Sequence, residues 1–346
     1  MSNSPRVSII VLNWNGCRDT IECLESLFGI RYPSYDVIVV DNGSEDDSVR
    51  NIELYADGRM EVKSRFFEYS SDTKPIAVVE YLKDGVDFIE AETTKIDGLV
   101  SNRRLSVVRN QMNLGFAEGN NVGIRLALKA FCPDYVLLLN NDAVVASDFL
   151  AQLIDVAEVA PEAGIFSPKI LFYDQPERIQ GTWNRVKFSR GKVYMAGTGE
   201  LDRGQYDVVA ETDYSQGVCF LIRRTTIERV GFFDPEFFCY SEESDYCFRA
   251  RKAGIKSLYV PKARVWHKLS QTANRIDGFV LYYTTRNRFR FTRRHASTRQ
   301  YFIFTFQFFT IQIWMSLLSL LAKRTSARAL RSYLRGAIEG LELRPG

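Results

Sequence analysis

The sequence predicts an α/β protein built on a mostly parallel sheet with flanking helices, followed by a helical tail of different character. Three observations predict this. Short apolar runs rich in β-branched residues alternate with segments of helical spacing. Each run ends in polar residues, as strands do when they deliver side chains to the carboxyl edge of a parallel sheet. Residues Tyr301 to Ala322 then carry no charge over 22 positions, between clusters of Arg and Lys.

Val7 to Leu12 reads as the first strand, followed by the loop Asn13, Trp14, Asn15, Gly16 and by helical spacing from Thr20 to Phe28. Val37 to Val40 is a second buried strand, ending in DNGSEDDS, a cluster of turn formers and helix caps. Residues 51–104 form a looser, charged stretch that reads as an insertion with its own strands or a hairpin. Ser106 to Arg109 is the third strand, and NLGFAEGNNVGIRLALKA leads from a glycine-containing loop into a helix. In YVLLLNNDAVV, an apolar strand from Tyr135 to Leu139 stops abruptly on Asn140, Asn141 and Asp142. Residues 180–216 look like long loops near a site, and Gly217 to Ile222 is a further strand. GFFDPEFFCYSEESDYCFRARKAG then reads as a turn, an acidic loop and a helix.

At 346 residues, with 46% hydrophobic and 25% charged residues, the chain is globular and has room for one large domain plus an appendage. Its net charge of +3 conceals an asymmetry: 13 Lys and Arg face 3 Asp and Glu from Arg275 to Arg344, against 32 and 39 upstream. A basic tail of this kind fits an anionic partner, either nucleic acid or a phospholipid surface. The uncharged 301–322 stretch is long enough to span a bilayer. However, Thr305, Gln312, Ser316, Ser319 and Lys323 fall within about 60° of one another on an ideal helix, a weakly polar stripe. The leading reading is a helix lying in the membrane interface; a true span and a buried or oligomerising helix remain alternatives. Six cysteines without a C-x-x-C pair read as reduced thiols of a cytosolic protein, and the amino terminus does not resemble a secretory signal.

Four places can carry chemistry. Asp142, at a strand end, is suited to a hard divalent cation, although a turn capping the next segment also accounts for it. Asp41, before Asn42, can accept from a nucleobase or ribose, or can cap a helix. Glu242, Glu243 and Asp245 crowd three carboxylates into four residues before a basic helix, where one can serve as a general base or all can be a solvated first turn. His267 follows an apolar segment that should end at the same edge, as a ligand or a structural histidine. His295 is assigned no catalytic role. Neither G-x-G-x-x-G after the first strand nor a P-loop occurs.

The constellation is more specific than its parts. VSIIVLNWNG, VIVVDNGSEDDSV, NLGFAEGNNVGI, YVLLLNNDAVV, the stretch from GVCFLIRR through SEESDYCFRARKAG, and YYTTRNRFRF resemble a family 2 inverting glycosyltransferase of the GT-A type, in its rhamnosyltransferase-like branch. The resemblance implies the GT-A (nucleotide-diphospho-sugar transferase) Rossmann-like fold over residues 1–270, with 271–346 as a membrane-associating tail. It implies a divalent cation, Mg²⁺ or Mn²⁺, held by Asp142 and His267, with Asn140 departing from the usual first acid of the D-x-D-type element. Nucleotide-sugar contacts fall on Asn13, Asp41, Asn42, Gly115, Asn121, Asn141 and Asp245, the last also orienting the acidic loop. Glu243 takes the place of the base that deprotonates the acceptor, with Glu242 beside it.

The expected reaction is metal-assisted single displacement from a nucleoside-diphosphate sugar to a hydroxyl of a glycan, presented as a lipid-linked acceptor on the cytoplasmic side of the cell membrane. A sugar-phosphate nucleotidyltransferase is the alternative enzyme, but NWNGCRDT offers only Arg18 where a basic loop is wanted. A catalytically inactive glycan or nucleotide-sugar binding module fits less well with Asp142, Glu243 and His267 all present. A nucleic-acid partner leaves the uncharged tail segment unexplained.

Overall fold

The computed structural model describes residues 4–84, 87–90, 104–269 and 277–342. The strands, in chain order, are β1 (Val7–Asn13), β2 (Tyr35–Asp41), β3 (Ala77–Asp84), β4 (Asp87–Glu90), β5 (Arg104–Arg109), β6 (Tyr135–Asn140) and β7 (Ala143–Val145). They continue with β8 (Ala163–Phe172), β9 (Ile179–Gly181), β10 (Asn184–Lys187), β11 (Lys192–Met195), β12 (Ala210–Glu211), β13 (Cys219–Arg223) and β14 (Lys256–His267). The main sheet runs β12-β14-β8-β13-β6-β1-β2-β5-β3-β4. β1 pairs in parallel with β2 and with β6, β5 with β2 and with β3, and β8 with β14. β13 lies antiparallel between β6 and β8, a direction that an isolated five-residue apolar run does not encode.

Helices cover both faces because successive strand side chains point to opposite sides. Ile9 and Val11 of β1 face one cluster with Leu24 and Leu27 of α1 (Cys17–Phe28), Ile52 and Tyr55 of α2 (Ser48–Ala56) and Leu153 of α4 (Phe149–Val159). Ile10 faces the other, with Val122 and Leu126 of α3 (Gly115–Leu126), Ile227 of α5 (Arg224–Val230) and Ala250 of α6 (Glu242–Lys252). Strand order reverses at β1, whose neighbours are reached through α1 on one side and α3 on the other. A crevice opens beyond the carboxyl ends of strands at such a reversal.

Two expectations change. The stretch 51–104 is not wholly an insertion: α2 is part of the core, β3 extends the main sheet and β4 folds back on it as a hairpin. Residues 85–86 and 91–103 of that stretch lie outside the described residues. The acidic cluster is not a loop either, since Glu242, Glu243 and Asp245 occupy the first turn of α6.

In the tail, α7 (Phe279–His295) packs along α10 (Ala327–Glu342), where a Cβ on Gly336 would come within 2.5 Å of the Tyr282 carbonyl. Between them and solvent run α8 (Thr298–Gln307), a π-helical turn (Phe308–Gln312) and α9 (Ile313–Ala322), seated on Phe289 and Tyr333 through Phe304 and Phe308. The wide turn lets Phe308 and Ile313, five residues apart, share the inward face. It therefore breaks the polar stripe projected on an ideal helix, and Gln312 turns inward to Arg288, 2.6 Å away. What remains outward is mainly apolar: Phe302, Phe306, Ile311, Trp314, Met315 and Leu318 are each 54–72% exposed, with Thr310 and Ser319 the exposed polar residues among them.

Candidate active site

A cavity of about 290 Å³ lies above the carboxyl ends of β1 and β6. Trp14 and Asn42 wall one end, Asn140 to Asp142 form the floor, and Glu242 and Glu243 face them from the start of α6. Of the residues expected at a site, Asn42, Gly115, Asn141, Asp142, Glu242, Glu243 and His267 line this one cavity.

The floor is assembled by a strand pairing. After Asp142 the chain enters β7, which pairs antiparallel with the end of β14 so that Ala143 sits opposite His267. His267 Nε2 thereby lies 3.1 Å from Asp142 Oδ1 and 3.4 Å from Asn140 Nδ2. On the other ring edge, Nδ1 meets the side-chain amide of Gln180, at 2.9 Å from its nitrogen and 3.2 Å from its oxygen. A Gln180 oxygen accepting from Nδ1–H leaves the Nε2 lone pair directed at the space it shares with Asp142 Oδ1 and Asn140, where a cation would be held between them.

Asn140 Oδ1 is buried with no hydrogen-bond partner among the described residues. No group of three His, Cys, Asp or Glu that could hold a metal occurs among the described residues. The set therefore fits a hard divalent cation in the way Mg²⁺ and Mn²⁺ are held beside phosphates: one carboxylate, one imidazole and an amide oxygen, with donor phosphates supplying the rest. Asn141 turns the other way, its Nδ2 donating to Thr20 Oγ1 at 3.0 Å on the first helix.

The wall expected at the donor is a hydrogen-bond network in which Asn110 Oδ1 is buried without a partner among the described residues. Asn13 donates to Asp41 at 2.8 Å and accepts from Thr20 at 2.8 Å, and Ser44 also donates to Asp41, at 2.6 Å. Asn13 and Asp41 thus sit behind the cavity wall and set the loop carrying Trp14. Asn42 Oδ1 accepts from Asn110 Nδ2 and from the Leu114 amide, both at 3.1 Å. Its Nδ2 donates to Asn113 Oδ1 at 2.9 Å and to the Gly115 carbonyl at 3.1 Å, which fixes the entry to α3. Gly115 has φ +80°, and a Cβ there would stand 2.5 Å from the Phe238 carbonyl oxygen, so no larger residue fits.

Two residues expected at the donor stand elsewhere. Asn121 is buried and bridges α3 to Phe233, accepting from its amide at 3.0 Å and donating to its carbonyl at 2.9 Å. Asp245 is fully buried, held by Arg249 at 2.8 Å, His295 at 2.8 Å and Arg294 at 3.0 Å. The i,i+4 position turns it toward Arg249 and away from the cavity that Glu242 and Glu243 face. Burial by itself would raise Asp245, but His295 and the two arginines outweigh it and hold the carboxyl at about 2. Burial in turn lowers His295, against the pull of Asp245.

Glu242 and Glu243 are in the opposite condition. Each keeps one carboxyl oxygen, Oε2, buried without a partner among the described residues. Burial pushes Glu242 well above the usual carboxylate range, and the neighbouring Glu243 pushes it further. Burial also raises Glu243, but backbone amides at the helix start and the Glu242 carboxyl restrain the rise. The two carboxyls therefore titrate as a coupled pair, with the larger upward push on Glu242 and the smaller on Glu243. A carboxylate with a free oxygen and a raised affinity for protons is equipped to take one from a hydroxyl.

Comparison with known proteins agrees with this geometry. Residues 77–292 match the family described as "Glycosyltransferase like family 2", and residues 8–74 match "Glycosyl transferase family 2". The chain belongs to glycosyltransferase family 2. It is 26% identical over 240 residues to the low-salt glycan biosynthesis hexosyltransferase Agl10 of Haloferax volcanii, covering 68% of this chain and 75% of that one. It is 29% identical over 161 residues to the rhamnosyltransferase WbbL of Escherichia coli, covering 44% and 60%. To the N-acetylglucosaminyl-diphospho-decaprenol L-rhamnosyltransferase of Mycobacterium tuberculosis it is 30% identical over 155 residues, covering 41% and 49%.

Among solved structures, this glycosyltransferase resembles the mannosyltransferase PcManGT of Pyrobaculum calidifontis in complex with GDP-Man and Mn²⁺. The TM-score is 0.56 at 16% identity, over 98% of this chain and 88% of that one. It also resembles GalNAc-T7 with UDP, GalNAc and Mn²⁺, with a TM-score of 0.52 at 16% identity over 76% and 43%. These likenesses establish the fold, that of GT-A glycosyltransferases.

Three contributors were not singled out from sequence. Gln180 is the middle residue of the short strand β9 and Asn113 lies in the loop before α3, in polar stretches where nothing marks one residue over another. Asn287, described below, carried a signal: an amide in mid-helix, where such residues are disfavoured unless they bond something specific.

Proposed function

We propose that the enzyme transfers a hexosyl or deoxyhexosyl group from a nucleoside-diphosphate sugar to a hydroxyl of a lipid-linked glycan, with inversion, at the cytoplasmic face of a membrane. The observation that carries the reading is the placement of the Glu242–Glu243 pair across one cavity from Asp142 and His267. The nucleoside lies against Trp14 and Asn42, in the loops that Asn13 and Asp41 hold. Asp142 and His267, with Asn140, would hold a divalent cation, which when bound offsets the charge that grows on the departing diphosphate.

Glu243 takes the proton from the acceptor hydroxyl as that oxygen attacks the anomeric carbon from the face opposite the diphosphate. The carbon–oxygen bond to the diphosphate breaks, and the electron pair leaves with it. One base is enough, because a diphosphate departs without protonation, whereas hydrolysis of a glycoside calls for an acid on a poor leaving group. Glu242 keeps the shared proton and holds Glu243 in place. The exposed apolar face from Phe302 to Leu318, flanked by Arg299, Lys323, Arg324 and Arg328, suits a helix lying in an anionic membrane interface beside such an acceptor. The M. tuberculosis relative, whose name specifies a diphospho-decaprenol acceptor, supports that choice of acceptor.

Release of nucleoside diphosphate, measured across dTDP-rhamnose, UDP-hexoses and GDP-mannose with and without Mn²⁺, tests the reading. One donor turning over with Mn²⁺ and an inverted anomeric signal in the product is the expected result. Turnover unaffected by chelation removes the metal role, and a retained configuration removes the single displacement.

A further inference from the structure

The chain just before Glu242 is strained and completely tied. Phe238, Tyr240 and Ser241, none of them glycine, have φ of 63°, 70° and 71°. Side chains rarely adopt this region, and such a run persists only where the surroundings dictate it. The surroundings here are hydrogen bonds to every carbonyl from Glu236 to Tyr240.

Asn287, fully buried on α7, places Nδ2 at 2.8 Å from the Phe237 oxygen, 2.8 Å from the Cys239 oxygen and 2.7 Å from the Tyr240 oxygen. Its own Oδ1 accepts from Arg286 Nε at 2.9 Å, and Arg286 Nη2 donates to the carbonyls of Glu236 at 2.7 Å and Phe237 at 2.9 Å. The remaining carbonyl, of Phe238, accepts from the amides of Phe116 at 2.6 Å and Ala117 at 3.1 Å at the start of α3. Downstream, Arg294 and His295 of the same α7 hold Asp245 in the first turn of α6. The tail helix thus grips the carboxyl-bearing segment on both sides of Glu242 and Glu243.

We propose that Asn287 is a positioning residue for transfer: its amide fixes the backbone turn that aims Glu243 into the cavity, so the first helix of the tail belongs to the active site. The proposal rests on the reading of Glu243 as the base. An apolar residue at 287 could fill the space, but it would leave buried carbonyls unpaired and the positive-φ run unsupported. The side chain itself touches neither donor nor acceptor. Its effect passes through the strained turn to the carboxyl.

The test uses the full-length chain carrying Asn287→Asp, which keeps the shape and loses both N–H donors. Transfer kcat falls about 10²-fold while donor KM stays within about twofold, the signature of a displaced reacting group rather than lost binding. Hydrogen exchange rises at least about tenfold in peptides covering 234–243 and stays unchanged in Tyr135–Asn140. A loosened turn with wild-type kcat overturns the positioning role and removes the base reading with it. Reduced kcat with unchanged exchange in 234–243 overturns the clamp and leaves Glu243 untouched. Exchange that rises equally across the chain means a purely structural residue, which overturns the proposal. If Asn287→Asp does not fold, Arg286→Gln is read in the same way, with kcat down about tenfold supporting the proposal and wild-type kcat overturning it.

Discussion

The two walls of the cavity are built on opposite principles. On the donor side, Asn13, Asp41, Asn42 and Ser44 are buried or half-buried and occupied by hydrogen bonds to one another and to the backbone, with Asn15 (φ 50°) the one non-glycine residue of the Asn13–Gly16 loop at positive φ. On the opposite side the backbone is strained at Phe238, Tyr240 and Ser241, and the two carboxyls at its end hold buried oxygens without partners. Satisfied groups define a shape and cost little to maintain. Unsatisfied charged groups cost stability and are retained where a proton or a ligand will meet them. The difference is the physical ground for proposing that the first wall binds and the second reacts.

That comparison can be broken at several points. The largest effect is expected at Asp142, the residue proposed to hold the cation beside the departing diphosphate: Asp142→Ala lowers kcat/KM on the order of 10² to 10³-fold and abolishes any response to Mn²⁺ titration. A response that survives the substitution moves the cation elsewhere.

Glu242→Gln sharpens the reactive side. Glutamine reproduces the proton-bearing state of Glu242, so kcat falls no more than about tenfold. Glu242 has a folded-state pKa above its unfolded value, so its burial favours the fold at low pH, and this contribution is lost as pH rises through the folded value. The substitution removes that loss, and the thermal midpoint at pH 7 to 8 should rise. Activity of the wild type requires ionised Glu243 and therefore fails as pH falls through a value above the ordinary carboxylate range. In Glu242→Gln that acid limb stays close to its wild-type position, because the amide N–H takes the place of the Glu242 O–H that donates to Glu243 and holds it down. An acid limb moved markedly to lower pH would mean that Glu242 carries a charge in the wild type and contradicts the shared proton.

The smallest effect belongs to the donor wall. Asn13→Ala releases Asp41 and Thr20 without touching the cavity, so donor KM rises several-fold, on the order of the 1 to 3 kcal/mol of one unpaired buried acceptor at most, with kcat preserved. A fall in kcat of the same size would blur the division between binding and reacting walls.

Much of the donor side was legible in the sequence, because β-branched runs fix strands and the polar residue after each run must emerge at the carboxyl edge. The extents of β1, β2 and β6 differ from the sequence reading by two residues at most. Asp142 and His267 were legible as candidates, but their meeting depends on the β7–β14 pairing between segments more than a hundred residues apart. Asp245 reads like its neighbours Glu242 and Glu243 in a string of acids. Its different fate is set by helical phase and by two residues of α7 that no local pattern ties to it. The tail was read on an ideal helix, and the π turn at Phe308–Gln312 shifted the faces.

Glu243 as the base carries the account, and single-turnover transfer by Glu243→Gln at saturating donor tests it most directly. Loss of a general base typically costs 10² to 10⁴-fold, so the rate should fall about 10³-fold, with donor affinity unchanged and Glu242→Gln far more active than Glu243→Gln. A Glu243→Gln enzyme that transfers at near the wild-type rate, or a pair of variants in which Glu242→Gln is the inactive one, would contradict it.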